Sequence, residues 1–115
     1  MPARGEIWLV NFNPTVGDEI QKSRPAVVIS SDAIHSHLAL KLVVPVTEWQ
    51  AAFATKPWHT KLVPDKLNGL SKESSADAQN LRAVSVSRLS KKLGHLQPEQ
   101  TEAVAAAIAL LVEYQ

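Results

Sequence analysis

The chain has 115 residues, enough for one domain around one core, with 45% hydrophobic and 20% charged residues and a formal net charge of +1. That charge excludes a polycation drawn to nucleic acid by its overall field, so any such contact has to rest on a local patch. With no cysteine, disulfides, thiolate catalysis and Cys-based zinc sites are excluded too.

The first residues, "MPARGEIW", lack the apolar centre of a signal peptide. The longest apolar run, "AVAAAIALLV", is far short of the ~18 residues that a membrane span takes. A cytoplasmic protein without a membrane partner is therefore expected.

In chain order, "EIWLVNF" is rich in β-branched and aromatic residues and predicts a first strand. The charged stretch "NPTVGDEIQKSRP" follows, much longer than a hairpin turn needs. "PAVVIS" predicts a second strand, with Pro25 tolerable at its start. "SDAIHSHL" allows one helical turn capped by Ser31 or Asp32. "KLVVPVTEW" predicts a third strand in which Pro45 argues for an edge or a bulge. "KLVP" reads as a short strand and "DKLNGL" as a turn around Asn68 and Gly69. "SSADAQ" and "LRAVSVSRL" alternate as half-buried strands do. "SRLSKKLG" reads as a short turn, and "HLQ" returns to the sheet.

The end differs. From Pro98 to Tyr114, Val104, Ile108, Leu111 and Val112 recur on one helical face. Pro98 suits a first helical position, and Glu99 and Glu102 complement the positive end of the helix. Many short strands and one closing helix predict a single mainly β domain over residues 1–115, a strongly curved sheet or small barrel.

The common signatures of nucleotide, metal and acyl-transfer chemistry are absent. His59 follows Trp58 in a connection and reads as a base, a nucleotide contact or a partly buried spacer. Ser71, Ser74 and Ser75 read as turn and edge residues, and Trp8 as core. Trp49 and Trp58 read as packing residues or as platforms for a base. Lys22, Lys41, Arg82 and Arg88 are candidate phosphate contacts. Arg24 stands just before the second strand, where a rigid element positions its guanidinium fork for phosphate oxygens. Thr47 ends the third strand, from which its hydroxyl could reach the same place. By itself this pattern is also that of a solvated loop.

The order "RGEIWLVNFNPTVGDE", "RPAVVIS", "VVPVT", "LRAVSVSRL", "GHL" and a terminal helix resembles the MazF/PemK family of toxin endoribonucleases. The resemblance implies an SH3-like barrel-type sheet acting as a homodimer. It implies cleavage of single-stranded RNA with no metal or other cofactor, and a cognate antitoxin whose disordered C-terminal segment fills the RNA groove. The family's catalytic arginine and threonine fall on Arg24 and Thr47, and its loop glutamate, the candidate base, on Glu19. Lys22, Asn13, Thr15, Gln79 and Arg82 are the implied RNA contacts. Ile20 stands where the family often has glutamine. Two other readings stay open at this point. One is a gyrase-inhibiting toxin, whose barrel is similar to this one. The other is a catalytically silent RNA- or antitoxin-binding barrel.

Overall fold

The computed structural model describes residues 1–12, 23–35 and 39–115. Its strands are β1 (Glu6–Asn11), β2 (Ser23–Val28), β3 (Leu40–Glu48), β4 (His59–Leu62), β5 (Ser74–Asp77), β6 (Arg82–Ser85) and β7 (Leu89–His95). The helices are α1 (Asp32–His35) and α2 (Pro98–Leu111). Three short 3-10 turns cover Ala51–Thr55, Ala78–Asn80 and Val86–Arg88. All strand pairs are antiparallel. The sheet runs β4-β5-β3-β2-β1-β7, with β6 also beside β3. It is a curved sheet that stays open rather than a closed barrel.

Successive residues of a strand point to opposite faces, and each face here has its own core. On one, Ile7, Val27, Val44, Val46, Leu62 and Ala76 pack under Val104 of α2. On the other, Val10, Ala26, Val28, Val43, Val84 and Leu89 pack with Trp8 and Phe12 beside them. Strands buried on both faces read as the near-continuous apolar runs seen in "AVVI" and "LVVPV".

Two prolines set where the strands change partners. The Ile29 amide donates to the Leu42 carbonyl at 2.9 Å, so odd-numbered amides of β2 face β3. Pro25 falls in that series and has no N–H to give. The β2–β3 ladder accordingly ends at the pair Ala26 and Pro45. Even-numbered residues of β3 face β2, so Pro45 faces the opposite edge. There β6 reaches Val43 and β5 begins at Val46. Pro45 is thus neither at a sheet edge nor in a bulge. It sits inside the strand at a handover, where no neighbour asks for its amide.

Other expectations change too. Leu89–His95, expected as a short turn and a return, forms one strand on β1 with two register shifts. Lysines 91 and 92 are exposed on it, as an edge strand requires. Helix α2 starts at Pro98, with the Gln97 amide donating to Gln100 Oε1 at 2.8 Å. Val104 and Ile108 face the core, but the helix ends at Leu111, and Leu111 and the following Val112 are exposed. The turn around Asn68 is as expected: Gly69 takes φ +68°, and Asn68 is fully buried.

Candidate active site

The register assembles a row of side chains across the sheet. Thr47 on β3 lies directly opposite Ser75 on β5, and Ser75 lies opposite Lys61 on β4. Cross-strand partners share a face with their Cβ atoms ~4.5–5.5 Å apart. Continued two residues past its end, the β2–β3 register would bring Arg24 opposite Thr47. Arg24 also pairs with Val10 of β1, which fixes its face as that of Val10, Ala26 and Val43. The row therefore reads Thr47, Ser75, Lys61, and Arg24 lies on the same face near the start of β2, past the end of the β2–β3 ladder.

Arg24 is exposed, and its guanidinium makes no ion pair with a described residue. Thr47 is half-buried, and its hydroxyl bonds no described residue. Ser75 is fully buried. It lies on an interior strand, not at an edge, because β5 is flanked by β3 and β4. Its hydroxyl lies 2.7 Å from His59 Nδ1. That pair is diagonal: His59 faces Asp77, two residues further along β5. An imidazole is long enough to span such a diagonal.

His59 is held on its flat side. The Phe53 ring stacks on it with centroids 3.7 Å apart and planes 6° apart. Trp49 meets Phe53 edge-on at 5.6 Å, and Trp58 tilts toward His59 at 6.0 Å. The Lys61 ammonium lies 5.2 Å from the Trp49 ring centre and 3.6 Å from the Glu73 carboxylate. Burial lowers the His59 pKa from its usual 6.5; the Asp77 carboxylate opposes that shift and Lys56 adds to it. The ring is consequently neutral at pH 7.

Of the other expected residues, Arg82 is exposed opposite Val43, on the Thr47 face four residues along β3. Its guanidinium lies 4.9 Å from the Phe12 ring centre. Gln79 is exposed in the turn after β5. Arg88 donates to the Asn11 carbonyl at 3.2 Å, a structural link between β1 and the start of β7. Lys41 is 2% exposed, so it is no surface phosphate contact. Asn13, Thr15, Glu19 and Lys22 lie outside the described residues.

Ser75 and Lys61 escaped the sequence reading. The alternation of Lys61 with His59, and of Ser75 with Asp77, puts each pair on one face, but only the register sets these beside Thr47.

A family model described as PemK-like, MazF-like toxin of type II toxin-antitoxin system matches residues 3–112. Endoribonuclease MazF9 of Mycobacterium tuberculosis (strain ATCC 25618 / H37Rv) is 32% identical over 116 residues, covering 96% of this chain and 95% of that protein. Endoribonuclease EndoA of Bacillus subtilis (strain 168) is 27% identical over 107 residues, covering 93% and 90%. A MazE–MazF crystal structure from Deinococcus radiodurans matches with a TM-score of 0.74 at 25% identity, covering 100% of this chain and 98% of that one. A mycobacterial endoribonuclease in complex with its cognate antitoxin shares the fold, with a TM-score of 0.78 at 19% identity over 100% and 98%. With the match running over nearly the whole sequence and the fold agreeing with it, the chain belongs to the PemK-like, MazF-like toxins of type II toxin–antitoxin systems.

Proposed function

We propose that this toxin is an endoribonuclease that cuts single-stranded RNA without a metal ion, by turning the RNA's own 2′-hydroxyl on the adjacent phosphorus. The 2′-oxygen bonds to phosphorus and the bond to the 5′-oxygen breaks. The products are a 2′,3′-cyclic phosphate and a 5′-hydroxyl. The protein has to supply position, proton transfer and a counter-charge for the phosphorane.

The observation that carries this reading is the exposed guanidinium of Arg24, without an ion pair among the described residues, on the same face of the sheet as the Thr47 hydroxyl, which bonds no described residue. Arg24 stabilises phosphorane charge; it is too weak an acid to be the first choice for proton donation. Thr47 hydrogen-bonds a phosphate oxygen or the reacting hydroxyl. Glu19 is the candidate base. Arg82 and Gln79, with Lys22, Asn13 and Thr15, hold the flanking RNA.

The same reading gives the toxin two protein partners. One is a cognate antitoxin whose disordered C-terminal segment folds into the RNA groove. The other is a second copy of the chain, for which the exposed Leu110, Leu111, Val112 and Tyr114 offer an apolar surface.

The test is a long single-stranded RNA incubated with the purified protein in EDTA, with both ends of each fragment mapped. Discrete cuts with cyclic phosphate ends are expected. Arg24→Ala should lower the rate by ~10²–10³, the usual cost of one preorganised donor, while the fold stays intact. Full activity in that variant, or efficient cutting of RNA with 2′-deoxy at the cut site, overturns the reading.

A further inference from the structure

Resting on the reading of Arg82 as an RNA contact, we propose that Phe12 is a positioning residue for RNA binding. Its ring holds the Arg82 guanidinium on the face of Thr47 and leaves the N–H donors of that guanidinium to an RNA phosphate. The guanidinium carbon of Arg82 lies 4.9 Å from the centre of the Phe12 ring. The Arg82 side chain makes no hydrogen bond or ion pair with a described residue.

An arginine can be held in place by a carboxylate or by an aromatic face. A carboxylate takes the fork, two parallel N–H donors at once. A ring face attracts the cation through its quadrupole and takes no N–H. Among the described residues Arg82 is held in the second way, so its donors stay available. Their planar fork matches the oxygens of a phosphate. A side chain already resting on a ring also has less rotamer freedom to lose when the RNA arrives.

The ring is a firm support. Phe12 is half-buried and packs against the core cluster of Val10, Ala26, Val28, Val43, Val84 and Leu89. Arg82 opens β6 opposite Val43 and is exposed. Phe12 follows β1 directly, and strands β1 and β6 are not neighbours: β2 and β3 lie between them. In a flat sheet three strand spacings would hold β1 and β6 ~14 Å apart. The curvature of the sheet brings them together over one face, which is that of Arg24 and Thr47.

Four variants of the full chain test this: Phe12→Leu, Phe12→Tyr, Arg82→Gln and the double variant of Phe12→Leu with Arg82→Gln. Single-turnover cleavage of a labelled RNA oligonucleotide with one mapped cut site is followed in EDTA. The half-saturating protein concentration is read at several salt concentrations, with melting temperature alongside. Phe12→Leu keeps an apolar side chain on the core and loses the quadrupole. It should raise half-saturation ~2–5-fold, while Phe12→Tyr, which keeps the ring face, stays at the wild-type value. Arg82→Gln should weaken binding and lower the salt slope by ~0.7, the share of one phosphate on a single strand. In the double variant Phe12→Leu should add nothing, since its effect runs through Arg82. The proposal is overturned by wild-type half-saturation in Phe12→Leu, by an equal effect of Phe12→Leu with and without Arg82, or by an unchanged salt slope in Arg82→Gln. Each of these leaves the nuclease reading intact if the wild type cuts. If the wild type binds the oligonucleotide without cutting it, the nuclease reading fails, and fluorescence anisotropy of the same RNA gives the same three comparisons. A wild type that does not bind the RNA overturns both.

Discussion

Thr47→Val separates chemistry from stability. Valine keeps the β-branched shape that suits an interior strand and removes one hydroxyl. That hydroxyl bonds no described residue. Ser75 keeps its bond to His59, so no buried polar group is orphaned. With no bond to a described residue lost and the β-branched shape kept, the expected change in stability is under ~0.5 kcal/mol. The expected change in rate is far larger. If the hydroxyl contacts the reacting phosphate or the 2′-oxygen, its loss removes one preorganised contact at the transition state. That is worth ~10²–10³ in kcat, or ~2.7–4 kcal/mol. Cleavage of a fluorogenic RNA in EDTA under single-turnover conditions gives the first quantity, and urea unfolding of the same preparation gives the second. A variant that cuts at the wild-type rate removes Thr47 from the site. A variant that loses rate in step with stability shows that the structural role was misjudged.

Asn68→Ala should be costly for folding and far from the chemistry. The buried amide donates to the Val63 carbonyl at 2.9 Å and accepts from the Leu70 and Asp65 amides at 3.0 and 3.2 Å. Stranding those groups should cost ~2–4 kcal/mol, read as a lower urea midpoint at unchanged slope; a midpoint equal to wild type refutes it. Glu6 should make stability fall in acid. Burial by itself raises its pKa, but donation from Trp8 and Ala3 and the Lys92 ammonium outweigh that and hold it below 4.5. A lowered carboxylate contributes fully above 4.5 and loses that contribution as pH falls through the folded value. Melting curves of wild type and Glu6→Gln should therefore converge on acidification below 4.5; a gap that stays constant overturns the assignment.

The first three strands were legible because they are buried on two faces, which leaves apolar runs such as "AVVI" that few other structures explain. Strand β7 was not. Its sequence "LSKKLGH" is shaped by exposure at a sheet edge, and only β1 holds it extended. In α2 the periodicity of Leu111 and Val112 was real, but the helix end leaves both over solvent. The site divides in a similar way. Arg24 and Thr47 could be named from a resemblance, yet their relation depends on a register that pairs Ala26 with Pro45, a long-range fact no local pattern carries. Ser75 was misread as an edge residue for the same reason: a small hydroxyl looks alike in a turn and in the middle of a sheet. His59 stayed ambiguous until its partners, 6 and 16 residues away in sequence, were in place.

The two prolines give the site a common physical origin. Pro25 cannot donate to β3, so β2 leaves the ladder just after Ala26 when followed toward its start. Arg24 is the first residue beyond that point whose side chain shares the face of Ala26. Pro45 cannot donate on the other side, where β3 passes from β6 to β5. Thr47 is the first residue beyond it on the same face. Each of these two side chains thus stands two residues past a buried anchor, Ala26 or Pro45. Each keeps its pairing on its outer side, Arg24 with Val10 and Thr47 with Ser75, while the pairing between β2 and β3 has ended. On the opposite face the parting leaves a cavity of about 230 Å³ between Pro25, Val46, Glu48 and residues 69–72. A sheet that continued its ladder through this point would bring β2 and β3 to ordinary spacing and pack Arg24 flat against Thr47, with no room for a phosphate between them. The adjacency of arginine and proline in "RP" is therefore more than a signature: the proline ends the ladder, and the arginine takes the place where it ends.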